Sequence, residues 1–212
     1  MTRSGPSRRV RLTGRAINNL IAFAPWSWPL TRPVVRRFFD AAADVWDERV
    51  EPDSPDHLAT IVAALAHVDS PPDRILDVGT GTGSVALLLA ERFAHADVLG
   101  IDLSAEMIAG ARDKARQRSS SVRFETADIS RLNEPGRFDL IAMLNMPPFF
   151  EPLSELLAPG GHLVHASSSG ARTPFYTSPR ALRRGFARRG LEAVASSSVA
   201  EGTYFVARRP PA

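Results

Sequence analysis

The stretch Arg74-Ile75-Leu76-Asp77-Val78-Gly79-Thr80-Gly81-Thr82-Gly83 constrains this chain more than any other. Arg74-Ile75-Leu76 reads as a short buried strand, and Ser84 to Ala90 as a helix with a broad apolar face. Between them, glycines let the backbone turn and approach a ligand closely, and the amino end of the helix favours an anion. A dinucleotide site requires G-x-G-x-x-G, but the third glycine slot here holds Ser84. Asp77, two residues before Gly79, would repel a pyrophosphate and suits a ligand that carries an ammonium group.

Strands alternating with helices extend this pattern along the chain. Strands are predicted at 74–78, 97–101, 122–125, 138–144, 162–166, 191–199 and 203–209. Helices are predicted at 33–50, 54–68, 83–93, 104–117, about 149–157 and 178–189. Ser54-Pro55 and Ser178-Pro179 mark helix starts, and Gly190 marks a stop. Short apolar strands between helices argue an α/β fold with a parallel sheet covered on both faces. The last two strands, joined through Glu201-Gly202, add an antiparallel edge.

Composition sets the remaining limits. The 212 residues suit one domain, 38–212, behind a basic and aromatic extension at 1–37. The absence of cysteine excludes disulfides and thiolate metal sites. His162 and His165, three apart on a strand, point to opposite faces, so no metal site is expected. The net charge of +3 divides into +8 over residues 1–39, with eight arginines and no acid, and −5 over the rest. A basic arm of this kind suits nucleic acid, anionic lipid or plain solvation, and solvation is the preferred reading. Arg8-Arg9 superficially resembles an export signal, but Asn18, Asn19 and Pro25 interrupt any apolar run. The segment 16–24 falls far short of the ~20 apolar residues of a membrane span. A cytoplasmic protein is therefore expected. Phe23, Trp26 and Trp28 suit either a lipid interface or a cap over the domain, and the cap is favoured.

Three motifs in order carry a resemblance. They are the glycine turn, Asp102-Leu103-Ser104-Ala105-Glu106-Met107-Ile108 after strand two, and Leu157-Ala158-Pro159-Gly160-Gly161-His162-Leu163 before strand five. From about Phe39 to Arg209 the chain resembles the class I S-adenosylmethionine-dependent methyltransferases. The resemblance implies a Rossmann-like seven-stranded sheet of order 3-2-1-4-5-7-6 with strand seven antiparallel, beneath an N-terminal helical cap. It also implies S-adenosylmethionine as cofactor, whose methionine end carries an ammonium and a carboxylate. Asp77 would then hold the ammonium, directly or through water, with Gly79, Thr80, Gly81 and Gly83 in close backbone contact. Asp102 would accept from both ribose hydroxyls, with Leu103 and Met107 beside the adenine. Asp128 would accept from the adenine amino group and the Ile129 backbone would meet a ring nitrogen. Asn145 would face the cofactor at the end of strand four. Phe39-Asp40 with Trp46-Asp47 resembles an F-D-x-x-A-x-x-Y-D run of small-molecule methyltransferases, with tryptophan in place of the tyrosine hydroxyl.

Methyl transfer from a sulfonium is an in-line displacement that alignment alone can accelerate. His57, His165 and Tyr176 are candidate bases, and none is assigned. The segments 147–150 and 167–178 are apolar-aromatic with scattered hydroxyls, which suits a small, partly hydrophobic acceptor. Asn145-Met146-Pro147-Pro148-Phe149 resembles the [DNS]-P-P-[YFW] signature of amine methyltransferases, but Met146 fills the slot of the required acceptor side chain. Amine methylation of nucleic acid or protein is therefore the second reading, and a silent cofactor-binding subunit the third. Ser84 and Asp77 disfavour a dehydrogenase. No nucleic-acid partner is expected, and the sequence fixes no oligomeric state.

Overall fold

The computed structural model describes residues 8–132 and 136–212, with side chains from residue 12 onward. The export-like arginine pair therefore lies outside the described side chains. Seven strands form one sheet: β1 (Arg74–Val78), β2 (Asp97–Asp102), β3 (Arg123–Thr126), β4 (Phe138–Leu144), β5 (Leu157–Ser167), β6 (Glu192–Val199) and β7 (Gly202–Arg208). Their order is β3-β2-β1-β4-β5-β7-β6, as the resemblance implied. The first five strands run parallel, and β7 runs antiparallel to both β5 and β6.

Strand alternation sends side chains into two separate cores. Ile75 faces one, while Leu76 and Val78 face the other. The first core is closed by α4 (Pro55–Leu65), α5 (Ser84–Arg92) and α6 (Ala105–Gln117), which bury Ile61, Leu89 and Ile108. The second is closed by α7 (Phe150–Leu156) and α8 (Pro179–Ala187) through Leu153 and Phe186. Ile21 of α1 (Arg8–Phe23) and Trp28 of α2 (Trp28–Ala42) join that second core. Each such side chain contributes roughly 1.5–3 kcal/mol when fully buried. Ser54, Ser104 and Ser178 start their helices by accepting from the backbone N–H groups of His57, Met107 and Ala181.

Three boundaries differ from expectation. Helix α2 begins at Trp28 and carries Pro33 inside it, running unbroken across residue 38. Burial of Trp28 extends the helix past the proline that read as its first residue. Strand β5 reaches back to Leu157, because 157–161 pairs through an irregular register with β4 and bonds Arg209. The last hairpin turns on Ala200-Glu201, with Ala200 in the left-handed region at φ +50°, and Gly202 already pairs with Val199.

Candidate active site

The strand order reverses between β1 and β4, and ligands of open α/β sheets collect at the carboxyl ends beside such a reversal. The glycine turn leaves β1 there with φ of +69° at Gly79, +54° at Gly81 and +89° at Gly83. Each glycine answers a different neighbour. A Cβ on Gly79 would lie 2.3 Å from Sδ of Met146, and one on Gly83 would lie 2.8 Å from the Phe124 ring. A Cβ on Gly81 would meet nothing nearer than Nε1 of Trp46 at 3.9 Å. Gly81 is thus the glycine that opens on the cleft, whereas Gly83 faces the core.

Asp77 lies beneath the turn. Its side chain is 1% exposed and accepts from the Thr80 hydroxyl at 2.6 Å and from the Ala86 backbone. The carboxyl therefore braces the turn from beneath. Thr80 is likewise turned inward, with its N–H on the Ile101 carbonyl at 2.9 Å. Burial pushes Asp77 up to about 7, despite the Thr80 and Ala86 hydrogen bonds. Burial pushes His165, on β5, down to about 4.

Both shifts enter the pH dependence of folding. Asp77 binds its proton more tightly folded than unfolded, so its contribution is full below its ordinary 3.8 and is lost as pH rises through 7. His165 contributes above its ordinary 6.5 and loses that contribution as pH falls toward 4. Between pH 6.5 and 8, acidification is expected to stabilise the fold, by up to about 1.4 kcal/mol per pH unit from Asp77. Urea midpoints across that range should rise as pH falls, and Asp77→Asn should flatten the rise. An unchanged slope in the variant would show that another group carries it.

Asp102, at the end of β2, is half-buried and better placed. It accepts from Gly81 N–H at 3.0 Å and from Ser104 N–H at 2.9 Å. Burial raises its carboxyl above the ordinary range, and the neighbouring Asp40 carboxylate adds to the rise. Oδ1 of Asp40 is buried without a hydrogen-bond partner. Two carboxylates beside an open glycine call for a donor-rich ligand.

Past Asp102 a cavity of about 330 Å³ is lined by Leu103, Ala127, Asp128, Arg32, Arg36 and Arg131, among others. Asp128 is already well bonded: it accepts from Trp28 Nε1 at 3.0 Å, Arg32 at 2.9 Å and Ser130 N–H at 3.0 Å. Burial works to raise its carboxyl, but Arg32, Ser130 and Trp28 outweigh it and hold Asp128 below the usual range. Met107 does not line this cavity, being 1% exposed, with its N–H on the Ser104 cap. The Ile129 side chain is buried in the second core, which leaves only its backbone for a ligand.

Asn145 sits in the left-handed region at φ +57°, and its amide is committed to Ser168 through bonds of 3.0 Å in both directions. The amide therefore ties β4 to the loop after β5. The next residue, Met146, lays its side chain over Gly79, and its carbonyl accepts from His165 Nε2 at 3.0 Å.

Residues 75–161 match a family described as a methyltransferase domain. That stretch is similar to a methyltransferase domain, and it spans the glycine turn, Asp102 and strands β2 to β4. The chain is 44% identical over 105 residues to the demethylmenaquinone methyltransferase of Thermus thermophilus, covering 46% of this chain and 48% of that protein. To the trans-aconitate 2-methyltransferase of Methylobacterium nodulans it is 35% identical over 145 residues, covering 65% and 51% respectively. The chain thus spans about half the length of the curated relatives it matches. Among solved structures, the magnesium protoporphyrin IX methyltransferase of Synechocystis, with S-adenosylmethionine bound, is similar in fold: TM-score 0.65, 22% identity, covering 84% of this chain and 96% of that one.

Residues that the sequence did not single out also shape this site. Lys114, the single lysine, ties the glycine turn to the N-terminal helices. Its ammonium lies 2.9 Å from both Asp47, on α3 (Trp46–Val50), and Asp53, and 3.2 Å from Thr82. Thr82 in turn donates to Asp47 at 2.5 Å. This network holds Trp46 above Gly81. The presence of a lone lysine among 26 basic residues was the available signal. Of the candidate bases, His57 sits in the first turn of α4 and Tyr176 accepts through its backbone from Asn18.

Proposed function

We propose that this domain binds S-adenosylmethionine between the Gly81 turn and Asp102 and transfers its methyl group to a small, partly hydrophobic acceptor. The observation that carries the reading is the Asp102 carboxylate, gripped by Gly81 and Ser104, beside an Asp40 oxygen that lacks a donor. Ribose hydroxyls are donors of that kind. Leu103 and the 127–129 backbone would flank the adenine, sharing Asp128 with Arg32 and Trp28. The Trp46 indole N–H above Gly81 would donate to the methionine carboxylate in place of the absent tyrosine hydroxyl. Asp77 acts as a positioning residue under the turn. The donor supplies an electrophilic methyl on a sulfonium, and the chain's task is to align the acceptor with it.

A groove of about 240 Å³, lined chiefly by Ile21, Trp26, Trp28, Phe149 and Phe150, supports an apolar acceptor. So does one relative, named a demethylmenaquinone methyltransferase. Amine methylation is disfavoured because Asn145 is committed to Ser168 and Met146 covers Gly79. None of the described helices is long and apolar enough to cross a membrane, and we place the reaction in the cytoplasm.

Calorimetry with S-adenosylhomocysteine and with NAD tests the cofactor. Heat of binding is expected for the former alone, and a folded protein that binds only NAD sinks the proposal. A labelled-methyl screen over phenols, quinols, amines and RNA then identifies the acceptor class, with RNA as the outcome that overturns the small-molecule reading.

A further inference from the structure

Seven of the nine large apolar side chains exposed among the described residues lie between Leu12 and Phe38. They form stripes at helical spacing: Leu12, Leu20 and Phe23 on α1, and Leu30, Val34 and Phe38 on α2. Trp26, 75% exposed, stands on the turn between the helices. These stripes are not the outer face of an undocked segment, because the opposite faces are fixed. Ile21, Ala22 and Trp28 are buried in the second core, and buried Asn18 donates to Thr177 at 3.0 Å. A helix held firmly by one face while showing leucine, phenylalanine and tryptophan on the other marks an interaction surface.

Charge selects the partner. Residues 1–39 hold eight arginines and no acid, while the remainder of the chain is net negative. Arg15, Arg36 and Arg37 are exposed on the same two helices. Aromatic and aliphatic side chains interleaved with arginine suit the headgroup layer of an anionic bilayer, where the apolar groups enter the acyl boundary and the guanidiniums meet phosphates. A second copy of this segment would bring eight arginines against eight. Nucleic acid would leave the apolar stripes without a role. We infer that α1 and α2 dock this domain on a bilayer containing anionic phospholipid. The apolar groove lined by Trp26 and Phe150 opens at the same corner and would face that bilayer.

The test uses the full chain with vesicles of phosphatidylcholine, alone or mixed with phosphatidylglycerol, read by flotation and tryptophan emission. Association with a blue-shifted emission is expected on the mixed vesicles, weakening at least about tenfold on phosphatidylcholine alone or at high salt. Leu30→Glu combined with Val34→Glu should reduce association at least about tenfold, with thermal stability and S-adenosylhomocysteine affinity unchanged. The inference is overturned if the folded chain ignores the mixed vesicles. It is equally overturned if both vesicles bind alike or the double variant binds as well as its parent. A dimer that the double variant disrupts, without vesicle binding, would assign the surface to a second copy instead. Because donor affinity is measured separately, failure here leaves the methyltransferase reading standing.

Discussion

Asp102→Ala is expected to weaken S-adenosylhomocysteine binding at least about a hundredfold while leaving the protein folded. Hydrogen bonds to a charged acceptor contribute about 1.5–3 kcal/mol each, and two ribose hydroxyls would lose theirs together. The same substitution removes the carboxylate from Gly81 N–H and Ser104 N–H, but it also relieves the crowding with Asp40 that raises the Asp102 carboxyl. Stability should therefore change little. Calorimetric titration beside a melting curve separates the two effects. If the variant melts normally and still binds with parental affinity, Asp102 is not the ribose acceptor.

The second large effect concerns stability and separates two glycines that look alike in sequence. Gly83→Ala places a Cβ 2.8 Å from the Phe124 ring and 3.2 Å from Ala111, at φ +89°. The left-handed backbone costs about 1–2 kcal/mol and the overpacking about 1–3 more, for a melting point lowered by roughly 5–15 °C. Ligand affinity of the folded fraction should hold, because that Cβ points into the core. Gly81→Ala meets no such wall: its nearest neighbour is Trp46 Nε1 at 3.9 Å, so the fall in melting point should be smaller. Its methyl group enters the cleft, and binding should suffer instead. Equal melting losses in the two variants would refute this division of labour.

Most strand positions were legible because alternating apolar runs and serine or glycine punctuation are local signals, whereas the sheet order came from the resemblance that the three motifs carry. Strands β1 and β4 match the expected limits. The aim of side chains was less legible. Asp77 reads as a ligand partner because it flanks the glycines, while its burial and its bond to Thr80 left no mark in the sequence. Met107 carries the same ambiguity on an amphipathic helix, where its side chain is buried. The Lys114 network left only its lone lysine as a signal, since it joins residues 47, 53, 82 and 114 across the fold and leaves no periodicity. Helix α1 was equally hard to find, as its buried face is short and includes Asn18, a polar residue satisfied only by distant Thr177.

The pairing of Asp128 with Arg32 and Trp28 has one more consequence. Helix α2 is a single rod, with that carboxylate at one side and the water-facing Leu30, Val34 and Phe38 at the other. Occupancy at either side that tilts the rod must be felt at the other, and thermodynamic reciprocity makes the two influences equal in factor. Nucleoside at Asp128 would then retune the grip of the rod on its surface, and that surface the grip on the nucleoside.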